Sequence, residues 1–316
     1  MSQKLAIIEP LGISEKEAQQ LKEQYLSADV EMTYYNTKAK DAAEQAARIG
    51  DASLVMLANS PLREDALSKG ANVKFLSVAF TGVDHVAMDY CRGKDIIVSN
   101  CSGYANEAVS ELVFGLAIGL YRKLAACDAA VRSGKTREGL LGFELSGKTF
   151  GVVGLGAIGR QTVKLAQAFG CKVLGYNRSQ KDIAGVEQVD LETLLKESDI
   201  VSLHVPLTEA TKGLIGEAEL ALMKPTAILI NTARGPVVDT AALAKALTDG
   251  TIAAAGIDVF DGEPPIAADN PLLKAPNTLL APHIGFATKE ALAKRAVIAF
   301  KNVAMYLQGK PQNVMN

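Results

Sequence analysis

Three titratable side chains each follow an apolar run in the second half of the chain. Ile228-Leu229-Ile230-Asn231-Thr232 leads into Ala233-Arg234-Gly235. Ala255-Gly256-Ile257-Asp258-Val259-Phe260 leads into Asp261-Gly262-Glu263-Pro264, and Thr278-Leu279-Leu280-Ala281 into Pro282-His283-Ile284-Gly285. If the runs are parallel strands, their ends open on one sheet edge, and Arg234, Glu263 and His283 can converge there. The three types suit hydride transfer at a carbon bearing oxygen. That oxygen needs a proton donor, and an imidazole titrates in the right range. A carboxylate beside the imidazole stabilises its protonated form. A guanidinium fork grips a substrate carboxylate and polarises the carbonyl next to it. Taken singly, the residues read as a helix-end salt bridge, a solvated loop acid and a loop histidine. Their recurrence at three successive strand ends favours a site. His204 ends a fourth run, Leu203-His204-Val205-Pro206, and is expected to line or hydrogen-bond a cofactor site rather than to catalyse.

A hydride carrier has its own signature upstream. The apolar run Thr149–Val153 feeds a G-x-G-x-x-G cluster, Gly154-Leu155-Gly156-Ala157-Ile158-Gly159. Ile158, Thr162, Leu165, Ala166 and Phe169 then recur at helical steps, Gly170 stands where a helix-ending glycine is expected, and Val173–Tyr176 follows as a second strand. In a strand–turn–helix, Gly154 permits the tight turn and Gly156 lets a pyrophosphate approach the backbone. Gly159 lets the helix lie close to the strand. The helix N-terminus offers free N–H groups to phosphates.

The elements that must position these groups alternate along the chain. Strands are expected at residues 4–8, Val30–Tyr35, Leu54–Ala58, Phe75–Phe80 and Ile96–Ser99. Helices fall between them at 14–27 (with Ser14 and Glu17 as a capping box), Asp41–Arg48 and near Arg63–Lys69. Asn106–Leu124 reads as a long helix buried on more than one side, a domain connector or dimer helix, and Arg132–Gly147 as a loop. After the glycine turn come strands at Ile200–Val205, Ala227–Thr232, Ala253–Phe260 and Thr278–Ala281. The helices between them are Leu191–Glu197 (capped by Asp190), Glu217–Met223 and Thr240–Thr248. Such alternation predicts parallel sheets covered on both faces. The turn Thr81-Gly82-Val83-Asp84-His85 follows a strand end, where its N–H groups can hold a carboxylate or it can be a plain turn, with His85 expected to be solvated.

The bulk numbers exclude several classes. The chain has 316 residues, 48% hydrophobic and 22% charged, with a net charge of −2. That length allows two domains, and the charge argues against a nucleic-acid partner. The apolar stretch Leu112–Leu120 is too short to span a bilayer, and Met1-Ser2-Gln3-Lys4 has no signal-peptide character. Cys91, Cys101, Cys127 and Cys171 show no metal-ligand spacing and read as reduced, buried cytosolic thiols. The three histidines fall in no metal motif, so no bound metal is expected.

The chain resembles the D-isomer-specific 2-hydroxyacid dehydrogenase family. The resemblance rests on Gly151–Gly159, His204–Leu207, Asn231–Gly235, Gly256–Val259, Glu263-Pro264 and Pro282–Gly285. Thr81–Asp84, Gly103-Tyr104 and Ala108–Glu111 match earlier in the chain. It implies an α/β fold of two doubly wound parallel-sheet domains. A Rossmann nucleotide-binding domain (101–286) would be inserted into a flavodoxin-like substrate domain (1–100 and 287–316), with hinges near residues 100 and 287 and a cleft between. It implies Arg234 as substrate anchor, His283 as acid/base and Glu263 as its partner. Thr81 and Gly82 would bind the substrate carboxylate with their backbone. The cofactor would lie along Gly154, Gly156, Ala157, Ile158, Gly159, Asn177, Arg178, Ser179, Val205, Pro206, Thr211, Thr232, Ala233, Asp258 and Gly285, with Ala233 and Asp258 on the nicotinamide carboxamide. The substrate would be a small 2-keto or 2-hydroxy acid such as glyoxylate, hydroxypyruvate or pyruvate. Asn59–Leu62 and Phe286 would shape its pocket. A cytoplasmic homodimer is implied. The alternatives are a phosphoglycerate dehydrogenase without a regulatory domain and a dinucleotide-sensing binding protein.

One departure bears on the cofactor. NAD-specific members place an acid after the second nucleotide-domain strand, where this chain has Asn177-Arg178-Ser179. No carboxylate repels a 2′-phosphate there, and Arg178 can pair with one, its alternative being a solvated turn residue. NADP is therefore expected to serve at least as well as NAD.

Overall fold

The computed structural model describes residues 3–262 and 265–316. Glu263 and Pro264 lie outside them. The chain divides into two compact units, Met1–Ala105 with Thr288–Asn316, and Asn106–Ala287.

The first unit runs β1 (Gln3–Ile7), α1 (Glu15–Tyr25), β2 (Val30–Tyr34), α2 (Ala42–Ile49), β3 (Leu54–Leu57), α3 (Glu64–Leu67), β4 (Phe75–Val78), α4 (Met88–Gly93) and β5 (Ile97–Ser99). All its strand pairs are parallel, in the order β2-β1-β3-β4-β5. This is the flavodoxin-like winding, whose order reverses between β1 and β3. Strands β3 and β4 are buried at every residue because helices cover both faces. Helix α1 starts at the expected capping box. Ser14 accepts the Glu17 N–H while the Glu17 carboxylate accepts the Ser14 N–H at 2.7 Å.

The second unit begins with α5 (Asn106–Tyr121) and α6 (Leu124–Arg132), then β6 (Thr149–Val153), α7 (Ala157–Ala168), β7 (Lys172–Tyr176) and β8 (Val186–Gln188). It continues with α8 (Leu191–Glu197), β9 (Ile200–Leu203), α9 (Glu217–Leu222), β10 (Ile228–Asn231), α10 (Thr240–Thr248), β11 (Ala254–Ile257) and β12 (Thr278–Leu280). The seven strands are parallel, in the order β12-β11-β10-β9-β6-β7-β8. This is the Rossmann winding, with its switch point between β6 and β9. Phe114 of α5 stacks between Phe150, at 5.3 Å, and Phe169, at 5.0 Å, tying α5 to the sheet and to the end of α7. Truncating such a ring to alanine costs about 3–5 kcal/mol.

The chain returns to the first unit as α11 (Lys289–Leu307), capped by Thr288. Ser77 donates to the Ala299 carbonyl at 3.0 Å and Asn302 to the Asn100 carbonyl at 2.8 Å. The Tyr306 ring stacks on Phe75 at 4.4 Å.

Several expectations are corrected. The long helix stops at Tyr121, not Leu124, because Lys123 takes a left-handed φ of +51° and starts α6 in a new direction. Helix α6 therefore fills part of a stretch the sequence pattern left unassigned. Helix α4 and strand β8 were also unexpected. Val186-Glu187-Gln188 has no apolar run, and only pairing with β7 makes it a strand. Phe169 is 42% exposed despite its place in the helical pattern. Cys91 and Cys101 are buried, but Cys127 and Cys171 are only partly so. No helix among the described residues is long and apolar enough to cross a membrane.

Candidate active site

The glycine turn is built by close approach. Gly154 has φ +101°, and a Cβ there would lie 2.6 Å from the His204 carbonyl oxygen. A Cβ on Gly159 would lie 1.9 Å from the Gly154 carbonyl oxygen, so the first turn of α7 rests directly on the loop. Gly156 differs, since nothing stands within 4 Å of a Cβ built there. It is also the N-cap of α7 and offers no side-chain cap. The N–H groups of Ala157, Ile158 and Gly159 at this helix start thus face an open approach lined by backbone, which fits a pyrophosphate.

The segment after β7 is tightly tied. Asn177 Oδ1 accepts the Leu155 N–H at 3.1 Å, and its Nδ2 donates to the Ser179 carbonyl at 2.9 Å. Arg178 and Ser179 are exposed. At the end of β9, the His204 N–H donates to the Val153 carbonyl at 2.7 Å and its Nε2 pairs with Ser202 Oγ at 2.9 Å. Burial of the ring pushes its pKa down to about 3, so the imidazole is neutral near pH 7. A neutral, hydrogen-bonded ring suits a wall and not a proton donor. Beyond it, Thr211 Oγ1 donates to the Pro206 carbonyl at 2.6 Å, closing the loop that carries Val205 and Pro206.

Three adjacent strand ends carry the remaining groups. Asn231 of β10 is 1% exposed; its side chain accepts the Ala233 N–H at 3.0 Å and donates to the Arg234 carbonyl at 2.9 Å. This Asx-type turn was missed in the sequence, although asparagine before a turn is its usual signal. Arg234 Nη1 donates back to the Ala233 carbonyl at 2.8 Å. Gly235 allows the turn to press on β11's continuation, since a Cβ there would lie 2.1 Å from the Phe260 carbonyl carbon. The buried Thr232 hydroxyl has no hydrogen-bond partner among the described residues. An orphaned buried hydroxyl beside this edge is what a polar ligand group would satisfy.

Asp258, 1% exposed, continues β11. Its two carboxylate oxygens accept the Ile284 and Gly285 N–H groups, each at 2.8 Å, and its carbonyl accepts the His283 N–H at 2.8 Å. His283 is thereby held at φ +55°, with its ring edge-on to Phe286 at 5.5 Å. Gly285 is required here, because a Cβ would meet Asp258 Oδ2 at 2.9 Å. In register, Asn231 pairs with Ile257 and Ile257 with Leu280, so Arg234 and His283 each follow their strand ends by three residues on one sheet edge. Glu263, expected beside His283, lies outside the described residues.

The first unit has its own loop edge. Thr81 and Gly82 follow β4, and neither N–H donates a hydrogen bond among the described residues. The Thr81 carbonyl accepts from Asn100 Nδ2 at 2.7 Å, which fixes the turn. His85 is not solvated as expected. It is half-buried, pairs through Nε2 with the Ala58 carbonyl at 3.0 Å and meets Phe80 edge-on. Its carbonyl accepts the Leu62 N–H at 2.9 Å, pinning the Asn59–Leu62 loop. Glu9, also unforeseen, is buried at the switch point and accepts the Ala58 N–H at 2.7 Å, the Ser60 N–H at 3.0 Å and the Ser60 hydroxyl.

A family model described as the NAD binding domain of D-isomer specific 2-hydroxyacid dehydrogenases matches residues 114–285. A glyoxylate reductase of Thermococcus litoralis is 43% identical over 277 residues, covering 84% of this chain and 83% of the relative. Among solved structures, an acyclic imino acid reductase in complex with NADPH and D-Arg superposes with a TM-score of 0.90 at 31% identity, covering 99% of this chain and 100% of the other. A D-lactate dehydrogenase of Aquifex aeolicus complexed with NAD and lactic acid gives 0.82 at 31% identity, covering 97% and 96%.

Proposed function

Because this chain belongs to the D-isomer specific 2-hydroxyacid dehydrogenase family, we propose that His283 is its acid/base, Arg234 its substrate anchor and the glycine turn its dinucleotide site. The enzyme is an oxidoreductase that transfers hydride between a nicotinamide dinucleotide and a small 2-keto or 2-hydroxy acid. When bound, the reduced nicotinamide supplies the hydride. The protein's own residues do the rest. The Arg234 guanidinium holds the substrate carboxylate in its planar fork. The His283 imidazolium gives its proton to the carbonyl oxygen as charge develops there, and takes it back in the reverse direction. Glu263, expected from the resemblance as the partner of that imidazolium, lies outside the described residues. In the first unit, the N–H groups of Thr81 and Gly82, which donate to no described residue, would take a carboxylate.

The single observation that carries this reading is the Asp258 clamp, which sets His283 in a left-handed conformation on the edge that Arg234 shares. Backbone strain of this kind concentrates where a side chain must be aimed. The dinucleotide would lie over Gly154, Gly156, Ala157, Ile158 and Gly159. It would pass Asn177, Arg178 and Ser179 at its ribose and Val205, Pro206 and Thr211 along its length. Thr232, Ala233, Asp258 and Gly285 would surround the nicotinamide. The orphaned Thr232 hydroxyl supports the last placement.

The finer assignments follow from particular residues. NADP(H) is favoured over NAD(H), because the turn after β7 offers a guanidinium and no carboxylate. The relative's name supports glyoxylate among the substrates, with hydroxypyruvate and pyruvate as near analogues. Exposed Leu124, Val131, Leu141 and Phe143 cluster in one stretch of sequence and support a homodimer made through it. Four free cysteines suit the cytoplasm. The test is consumption of reduced dinucleotide with a panel of 2-keto acids. Turnover that vanishes in His283→Ala while dinucleotide binding survives supports the assignment. Full turnover in that variant overturns it.

A further inference from the structure

The turn that follows β7 is held from outside by a residue of the edge strand. Gln188 ends β8 in register with Gly175. Its amide nitrogen donates to the Asn177 carbonyl and to the Ser179 carbonyl, each at 3.2 Å. Its amide oxygen accepts the Lys181 N–H at 2.9 Å. Asn177 ties the same turn from within, through Leu155 and through the Ser179 carbonyl and hydroxyl. The carbonyls on both sides of Arg178 are therefore fixed. Arg178 itself is exposed and makes no hydrogen bond or ion pair among the described residues. The Ser179 oxygen accepts from Asn177 Nδ2 at 3.1 Å, which leaves its own proton to point outward.

We propose that Gln188 is a positioning residue for a 2′-phosphorylated dinucleotide, acting through the Arg178–Ser179 turn. This rests on the NADP(H) reading above. The Asn177 amide is spent on protein partners and the turn has no carboxylate, so it offers a ribose diol no anionic acceptor. What it does offer is a guanidinium and a hydroxyl proton on a backbone braced in advance. Bracing matters because a mobile turn must be ordered when the ligand binds, which weakens affinity. Gln188 makes no contact with the phosphate in this scheme. Its effect must pass through Arg178.

The experiment measures binding of 2′,5′-ADP and of 5′-AMP to the full chain. Wild type should bind 2′,5′-ADP more tightly. Equal affinities would overturn the NADP(H) reading and this inference with it. Gln188→Met keeps the side chain's length and removes both polar ends; its preference for 2′,5′-ADP should fall by roughly tenfold. Gln188→Glu, which retains an acceptor for Lys181, should lose the preference as well and guards against a variant that fails to fold. In an Arg178→Ala background, Gln188→Met should cause no further loss of preference. A wild-type preference left intact by both Gln188 variants would sink the inference alone. So would an undiminished Gln188→Met effect in the Arg178→Ala background, which marks a general structural role.

Discussion

The Asp258 carbonyl accepts the His283 N–H at 2.8 Å, and the Asp258 carboxylate takes the next two N–H groups along the chain. One buried aspartate thus specifies the backbone of the loop that carries the imidazole. Asp258→Asn replaces one acceptor oxygen with an NH₂ group facing an N–H. The expected cost is about 1–3 kcal/mol of stability, with lower kcat from a loosened His283. Denaturant unfolding and steady-state kinetics measure both. A variant that loses neither would mean the clamp is incidental.

Gly156 and Gly159 should fail in different ways. A Cβ on Gly159 collides with backbone at 1.9 Å, so Gly159→Ala should destabilise the second unit. Gly156→Ala meets open space, so the melting temperature should stay near wild type while dinucleotide affinity drops by about tenfold. Calorimetry and a cofactor titration separate the two. Undiminished cofactor affinity in Gly156→Ala would argue against phosphates at this turn.

His204 should shape the acid limb of stability. Burial lowers its pKa from 6.5 to about 3 in the folded protein. Between these values the unfolded chain binds a proton that the folded chain refuses. Stability therefore falls as pH drops from 6.5 toward 3, by up to about 1.4 kcal/mol per pH unit from this group. His204→Gln keeps a partner for Ser202 and removes the titration. Unfolding midpoints across that window should decline less steeply in the variant, and identical slopes would contradict the burial of a neutral ring.

Thiol reactivity should follow burial. Desolvation pushes Cys91 up to about 11 and Cys101 up to about 12, and raises Cys171 as well. A disulfide reagent at mildly alkaline pH should label Cys127 first and leave Cys91 and Cys101 untouched until the chain unfolds. Peptide mapping after timed labelling gives the order.

Glu9 should matter to the first unit's loop edge. Glu9→Ala strips partners from the Ala58 and Ser60 N–H groups, for a cost of about 1–3 kcal/mol. Chemical unfolding tests it; a change within about 0.5 kcal/mol would show that water replaces the carboxylate.

Much of this architecture is written locally. The glycine spacing, the apolar runs and the Ser14 and Asp190 caps name their elements because short-range sterics and hydrogen bonds decide them. The shared edge of Arg234 and His283 was legible too, since parallel strands end on one edge. Elements without a local signature were not. Strand β8 exists only through β7, and α6 turns on a left-handed Lys123 that no residue preference announces. The hydrogen-bond partners of Asp258, Asn231, Gln188 and Glu9 were likewise hidden, because each depends on which distant N–H or carbonyl the fold delivers to its side chain. Residue types and periodicities carry the chemistry and the winding. Buried polar partners are chosen by packing across the sheet edges, and that choice takes shape only when the whole chain is folded.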